Sequence, residues 1–182
     1  MKKSFNSGQG QYIVLDMEFN QNEIIQLSAV RMTFQNYGQD IQIKDNFNSY
    51  VKNHKPLTNE FINLTKITEA DVENASEISD VLAQFVKWIQ QNDQPMFFVT
   101  WGNRDEKILK RNCAKYNCFI AHKDFLDLQS FIMLRKGMKK LPSLESQVTK
   151  YLEHFDGEAH NAIADATNMA YLLMYLLKET VF

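Results

Sequence analysis

The chain has 182 residues with a formal net charge of −2, and 45% of its residues are apolar, 12% aromatic and 23% charged. That is enough chain to bury one core as a single domain over residues 1–182. The charge balance excludes a strongly basic nucleic-acid coat protein, so a polyanion must be held by local features or by bound metal. No apolar run reaches bilayer-spanning length, and Lys2 and Lys3 are followed by no apolar signal segment. Cys113 and Cys118 lack the second pair a structural zinc site requires; together these features point to a cytoplasmic protein without a membrane partner.

Residues 1–10 are polar and read as a loose lead-in. Ile13-Val14-Leu15-Asp16-Met17-Glu18-Phe19 is too short and β-branched to favour a helix and reads as a buried strand. Side chains alternate along a strand, so Asp16 and Glu18 project side by side from its end. Glu23–Met32 predicts a second strand, and Ile41 to Tyr50 or Val51 a third, with Asn36-Tyr37-Gly38 as the turn between them. Three sequential strands with short turns argue for an antiparallel meander.

The periodicity then becomes helical. Residues 58–64 carry Leu57, Phe61 and Leu64 at helical spacing, and Thr68-Glu69-Ala70-Asp71 has the form of a capped helix start, with Asp in place of Glu or Gln. Ser76–Gln91 forms an amphipathic stripe of Ile78, Val81, Leu82, Phe85, Val86 and Ile89, stopped by Asp93-Gln94-Pro95. Met96–Thr100 is a continuous apolar run of the parallel-strand type. Trp101-Gly102-Asn103-Arg104-Asp105 leads into a helix over about 106–117, and Phe125–Leu128 is a fifth strand. A basic loop around Gly137 follows, then a helix capped by Ser143, and a final long helix opened by His160 with Ile163, Ala166, Ala170, Leu173 and Leu176 in step. The order βββ-α-β-α-β-α-α predicts an α/β fold, a central mixed sheet with helices around it.

Open α/β sheets bind ligands beyond strand ends where the topology reverses. Asp16 and Glu18 stand at the end of strand one, Asp105 follows strand four, and His160 and Asp165 open the last helix. Five helical positions turn through about 500°, so His160 and Asp165 meet only if His160 lies just before the helix proper. Two acids held together repel unless a cation sits between them, and oxygen-only ligands select a hard ion such as Mg²⁺ or Mn²⁺. Each motif alone has a plainer origin: Asp105 as a helix N-terminal acid, Asp127 as a structural acid at a strand end, and His54, His122 and His154 as surface histidines.

Taken together and in order, D-M-E-F, W-G-N-R-D and H-N-A-I-A-D-A resemble the three exonuclease motifs of the DEDDh, DnaQ-like superfamily. Leu64-Thr65-Lys66-Ile67-Thr68, Thr100-Trp101-Gly102 and Phe125-Leu126-Asp127-Leu128 resemble its histone-mRNA 3′ exonuclease-like, KapD-like branch, and the similarity runs from about Gln11 to Leu177. The resemblance implies an RNase H-like three-layer fold, with antiparallel strands first and parallel strands after. It also implies hydrolysis from the 3′ end of single-stranded nucleic acid, RNA favoured over DNA, to nucleoside 5′-monophosphates.

Carried over by position, Asp16, Glu18, Asp105 and Asp165 are the metal-binding acids and His160 the general base. The resemblance has Asp16 bridging two ions, Glu18 and Asp165 completing the water-activating one, and Asp105 acting mainly through metal-bound water. The chemistry independently suits these residue types: two divalent ions about 3.5–4 Å apart stabilise both oxygens of an in-line displacement, and a neutral imidazole can take a proton from water near neutral pH. Phe19 is a candidate contact for the terminal nucleotide, with the backbone amides of Met17 and Glu18 as in relatives, and Asn161 for its phosphate; Trp101 is a core or site-wall residue.

Lys107, Lys110, Arg111 and Lys115 read as a solvated helix face, whereas the loop from Leu134 to Lys140 has the charge to grip phosphates. Lys66 stands where relatives often carry Gly, and Asn103 where an acid is common. The extra nucleic-acid module of larger relatives and a polymerase tether are both expected to be missing. The competing readings are an exonuclease-like adaptor without catalysis, for which a base such as His160 has no use, and a polymerase proofreading subunit.

Overall fold

The computed structural model describes residues 8–36, 40–91, 94–120 and 124–179. The expected lead-in over 1–7, the Tyr37-Gly38 part of the first turn, Asp93 and His122 lie outside them. Five strands form one sheet: β1 Gly10–Asn20, β2 Glu23–Gln35, β3 Asp40–Tyr50, β4 Met96–Thr100 and β5 Phe125–Asp127. Their order is β3-β2-β1-β4-β5. The first three strands pair antiparallel, and β4 and β5 join parallel to β1. This is the expected mixed α/β sheet.

Alternation along β1 distributes its side chains between two cores. Ile13, Leu15 and Met17 enter a cluster with Val81, Leu82, Phe85, Phe98 and Leu109, under α3 (Ile78–Ile89) and α4 (Arg104–Lys115). Val14 enters the opposite cluster with Leu128, Val148, Ala166, Met169 and Ala170. The second cluster is covered by α5 (Leu128–Arg135), α6 (Leu144–Leu152) and α7 (Ala162–Lys178). Two short helices, α1 Asn59–Thr65 and α2 Glu69–Val72, close a smaller apolar cluster of Ile25, Leu57, Phe61, Ile67 and Val72. Helices on both faces of the sheet make the three layers.

The structure moves several expected boundaries. β1 begins at Gly10, inside the expected lead-in, because Gln11 pairs with Met96 and Phe34 closes over the strand start. A Cβ on Gly10 would lie 2.5 Å from the Phe34 ring, so only glycine fits. β5 ends at Asp127 rather than Leu128. Asp127 instead caps α5, a helix absent from the sequence reading: its Oδ1 accepts from Ser130 N at 3.0 Å and its Oδ2 from Ser130 Oγ at 2.6 Å. In α3, Trp88 joins the buried stripe in place of Val86, which is half-buried; Arg31 lies over the Trp88 ring at 4.4 Å. The expected Thr68 cap is present, with the Asp71 carboxylate accepting from Thr68 N at 2.7 Å.

Lys66 terminates α1 with φ +63°, the left-handed conformation that side chains resist, and donates its N–H to Ile62 O at 2.9 Å. The backbone geometry accounts for the glycine often found there. Lys66→Gly is expected to raise stability by about 0.5–1 kcal/mol, read as a higher denaturation midpoint with an unchanged slope.

Candidate active site

β1 and β4 run side by side only from Gln11–Met96 to Val14–Val99. Beyond that point β4 ends at Thr100 and turns away, leaving the last six residues of β1 without a neighbour on that side. A cleft of about 780 Å³ opens there, at the carboxyl ends of two parallel strands. Asp16 and Glu18 share a strand face with Val14, so they point toward α7. Asp105, His160 and Asp165 line the same cleft.

Polar ties from flanking elements place each group. At the turn after β4, Gly102 adopts φ +81° and donates its N–H to Asp127 Oδ1 at 3.0 Å, while Thr100 Oγ1 donates to Gly102 O at 2.7 Å. The turn starts α4 at Arg104 and buries Asp105 in the helix's first turn. Asp127, the rival acid of the sequence, is therefore a structural residue with both oxygens engaged. On the other side, Gln26, paired across from Glu18, is fully buried and accepts from Ala162 N at 3.1 Å. This bond fixes the start of α7 against β2.

His160 precedes α7, with φ +64°, and its N–H donates to Asp165 Oδ2 at 3.2 Å. The helical geometry that would separate two residues five apart therefore does not apply. The loop that presents His160 is clamped by Asn168 on α7: Asp156 N donates to Asn168 Oδ1 at 2.9 Å, and Asn168 Nδ2 donates to Asp156 O at 2.8 Å and Ala164 O at 2.9 Å. Asn168 and Gln26 were not singled out in the sequence. Their signal was a polar residue at a position the periodicity assigns to the core.

The electrostatics are one-sided. Carboxylate oxygens of Asp16, Glu18 and Asp165 lie within 4.8 Å of one another. Burial, then the charges of Asp105, Asp165 and Glu18, hold the Asp16 carboxyl well above the usual range. Burial and the Asp165 and Asp105 charges push Glu18 up to about 8, against the pull of Arg104. Burial pushes Asp105 up to about 7, although its own amide, Arg104 and the Met17 amide pull down. Burial raises Asp165 to about 6 against the His160 amide and ring, with Glu145 adding to the rise. Asp105 Oδ1 is buried with no hydrogen-bond partner among the described residues. Three clustered carboxylates, with the buried Asp105 carboxylate lining the same cleft, fit a hard divalent cation.

The cleft walls are mixed. Phe19 is half-buried with the Arg104 guanidinium 4.8 Å over its ring; neither Arg104 nor its position on the wall was foreseen as a site feature. Trp101, Phe61, Leu64, Leu144 and Phe155 add apolar surface. Asn20, buried at the strand end, accepts from Thr58 N and donates to Pro56 O, both at 3.1 Å, fastening the α1 rim. Met17 and Asn161, expected near the terminal nucleotide, lie at the edge of this arrangement. Met17 reaches the cleft but its side chain is core and its amide is directed at Asp105. Asn161 caps α7 through Ala164 N and is absent from the cleft lining. His54 and His154 are exposed and pair with Glu77 and Asp156, away from the cleft.

Residues 13–173 match the exonuclease family described as RNase_T. The chain belongs to that family and resembles the KapD-like and histone-mRNA exonuclease-like proteins. It is 26% identical over 181 residues to the probable 3′-5′ exonuclease KapD of Bacillus subtilis, which covers 92% of this chain and 84% of that protein. It is also 26% identical over 184 residues to the DNA polymerase III PolC-type of the same organism, covering 92% of this chain but only 11% of the polymerase. The chain thus spans about a tenth of the polymerases it matches. Among solved structures, the nuclease domain of 3′hExo, a DEDDh family member bound to rAMP, superposes with a TM-score of 0.77 at 20% identity, covering 96% of this chain and 94% of that one. Cell-death related nuclease 4 gives 0.75 at 22%, covering 94% and 64%. Both share the fold.

Each of the four acids binds its proton more tightly in the folded chain than unfolded. Metal-free stability is therefore expected to fall as pH rises from about 5 to about 8. Asp16→Asn should flatten that fall, and Mn²⁺ should raise the melting temperature of the wild type more at pH 8 than at pH 5.5, as thermal scans would show. Asn168→Ala frees the His160 loop, and turnover is expected to drop about 10- to 100-fold with affinity for nucleic acid retained in a binding titration.

Proposed function

We propose that this exonuclease domain hydrolyses single-stranded nucleic acid from its 3′ end, RNA in preference to DNA, and releases nucleoside 5′-monophosphates. Asp16, Glu18, Asp105 and Asp165 hold two divalent ions, Mg²⁺ or Mn²⁺, and His160 is the general base. The observation that carries the reading is the convergence on one cleft, at the end of β1, of four acids, Glu18 and Asp105 buried and Asp16 and Asp165 half-buried, with an exposed imidazole. When bound, the cations supply Lewis-acid stabilisation of the charge that develops on the phosphate oxygens.

The chain's own groups do the rest. Asp16, Glu18 and Asp165, whose carboxylate oxygens lie within 4.8 Å of one another, would hold the cations together with Asp105, which lines the same cleft from α4. The His160 ring stands at the exposed mouth of the cleft, its backbone bonded to Asp165, where it can accept a proton from an attacking water. Phe19 and Trp101 offer apolar surface to the terminal nucleoside. Arg104, the only lysine or arginine among the residues lining the cleft, offers a positive charge to an anionic substrate. Met17 and Asn161 serve this site by position, one through its amide at Asp105 and the other by capping α7. Two half-buried or buried thiols, Cys113 and Cys118, both free, suit a reducing compartment such as the cytoplasm. Among the described residues no helix is long and apolar enough to cross a membrane.

Similarity to PolC-type polymerases supports DNA 3′ ends as the competing substrate. Matched 5′-labelled single strands of RNA and DNA, followed on gels with Mg²⁺, Mn²⁺ or EDTA, test both. The expected result is a metal-dependent ladder shortening from the 3′ end, faster on RNA. Asp16→Ala and Asp165→Ala should abolish it, and His160→Ala should slow it about 10²- to 10⁴-fold. Uncut strands in every lane, with binding intact, would instead make the domain an adaptor.

A further inference from the structure

The segment from Gln129 to Glu145 leaves the cleft wall and returns to it. Gln129 on α5 lines the cleft, as do Ser143, Leu144 and Glu145 at the start of α6. Gln129 Nε2 donates to Pro142 O at 2.8 Å, which pins the two ends together. The loop between them is a built structure. Lys136 N donates to Ile132 O and Met138 N to Met133 O, each at 3.0 Å, Gly137 turns with φ +60°, and Met138 packs into the core beneath α7.

What this anchored loop presents is unusual for the rest of the surface. Lys136, Lys139 and Lys140 are exposed, and Lys139 and Lys140 have no carboxylate partner among the described residues. Lys136 and Lys150 both lie over the Tyr151 ring, at 5.6 and 5.3 Å. Flanking these charges in the chain are exposed large apolar side chains: Leu134 at 76%, Leu141 at 55% and Phe131 at 39%. Cations interleaved with exposed apolar and aromatic groups form the surface that single-stranded nucleic acid favours, phosphates on the lysines and base faces on the apolar groups. The chain as a whole is acidic, and so is the cleft, so this positive charge is local to the rim.

Position determines which part of a strand the rim would meet. Lys140 is three residues from Ser143, at most about 10 Å of extended chain, so the charges begin at the edge of the cleft and lead away from it. We propose that the α5–α6 loop is a tracking surface for the strand upstream of the 3′ end, with Lys136, Lys139 and Lys140 gripping phosphates beyond the terminal nucleotides. This rests on the exonuclease reading, in which the 3′ end occupies the cleft. It makes the domain processive on long strands and indifferent to the loop on the shortest ones.

The test compares wild type with the triple variant Lys136→Gln, Lys139→Gln, Lys140→Gln, all three sites being exposed. Turnover of a dinucleotide is expected to be unchanged within about two-fold, while kcat/KM on a long single strand falls about 10-fold. Independently of turnover, anisotropy titrations of a labelled long strand in EDTA should show weaker binding, with the slope of log affinity against log salt shallower by about 2. Equal loss on dinucleotide and long strand would overturn the proposal, because the loop would then act on the cleft itself. Unaltered binding and salt slope would also overturn it and leave the patch to an acidic protein partner. A wild type that binds long strands through these lysines but cuts neither substrate would refute the exonuclease reading while upholding the nucleic-acid surface.

Discussion

Mutual repulsion among buried carboxylates is the constraint around which this domain is arranged. Burial raises the proton affinity of Asp16, Glu18, Asp105 and Asp165, and the charges of neighbouring carboxylates raise it further. A protein core does not gather such groups spontaneously. They persist here because the surrounding apolar packing, two clusters on either face of β1, is large enough to absorb the penalty. The site is thus a strained point on a well-packed sheet, and a cation is its natural relief.

The strain is held in place by side-chain-to-backbone hydrogen bonds. Asp127 grips the Gly102 turn, Gln26 holds the first turn of α7, Asn168 clamps the loop before His160, and Asn20 fastens the α1 rim. Each joins a secondary-structure end to a neighbouring element, and each is buried or half-buried, where a hydrogen bond is both directional and expensive to lose. These bonds fix angles and registers, and the one carboxylate among them, Asp127, lies outside the cleft lining.

Much of this was legible in the sequence. The strand–turn contexts of D-M-E-F and W-G-N-R-D and the placement of H-N-A-I-A-D-A were enough to bring five side chains to one cleft, because strand alternation and strand-end position are local properties. What escaped was non-local. α5 depends on Asp127 acting as its cap, a role indistinguishable from a strand-end acid without the fold. Asn161 reads as a polar neighbour of His160, and only the backbone geometry shows its oxygen committed to Ala164 N. Met17 alternates into the core for the same reason that Asp16 and Glu18 alternate out of it. Arg104 drew no attention because a basic residue beside an acid in a helix start is ordinary; its partner, Phe19, is more than eighty positions away.

The acids and the imidazole are drawn from chain segments that span almost the full sequence: β1 supplies two, α4 one, and the approach to α7 the last two. No early-forming local unit contains a complete set. Non-local contacts of this kind close late, after the sheet on which they depend. A nuclease built this way has no complete site until its last helix is in place. Any opening that lifted α7 from the sheet would take Asp165 and His160 away from Asp16, Glu18 and Asp105.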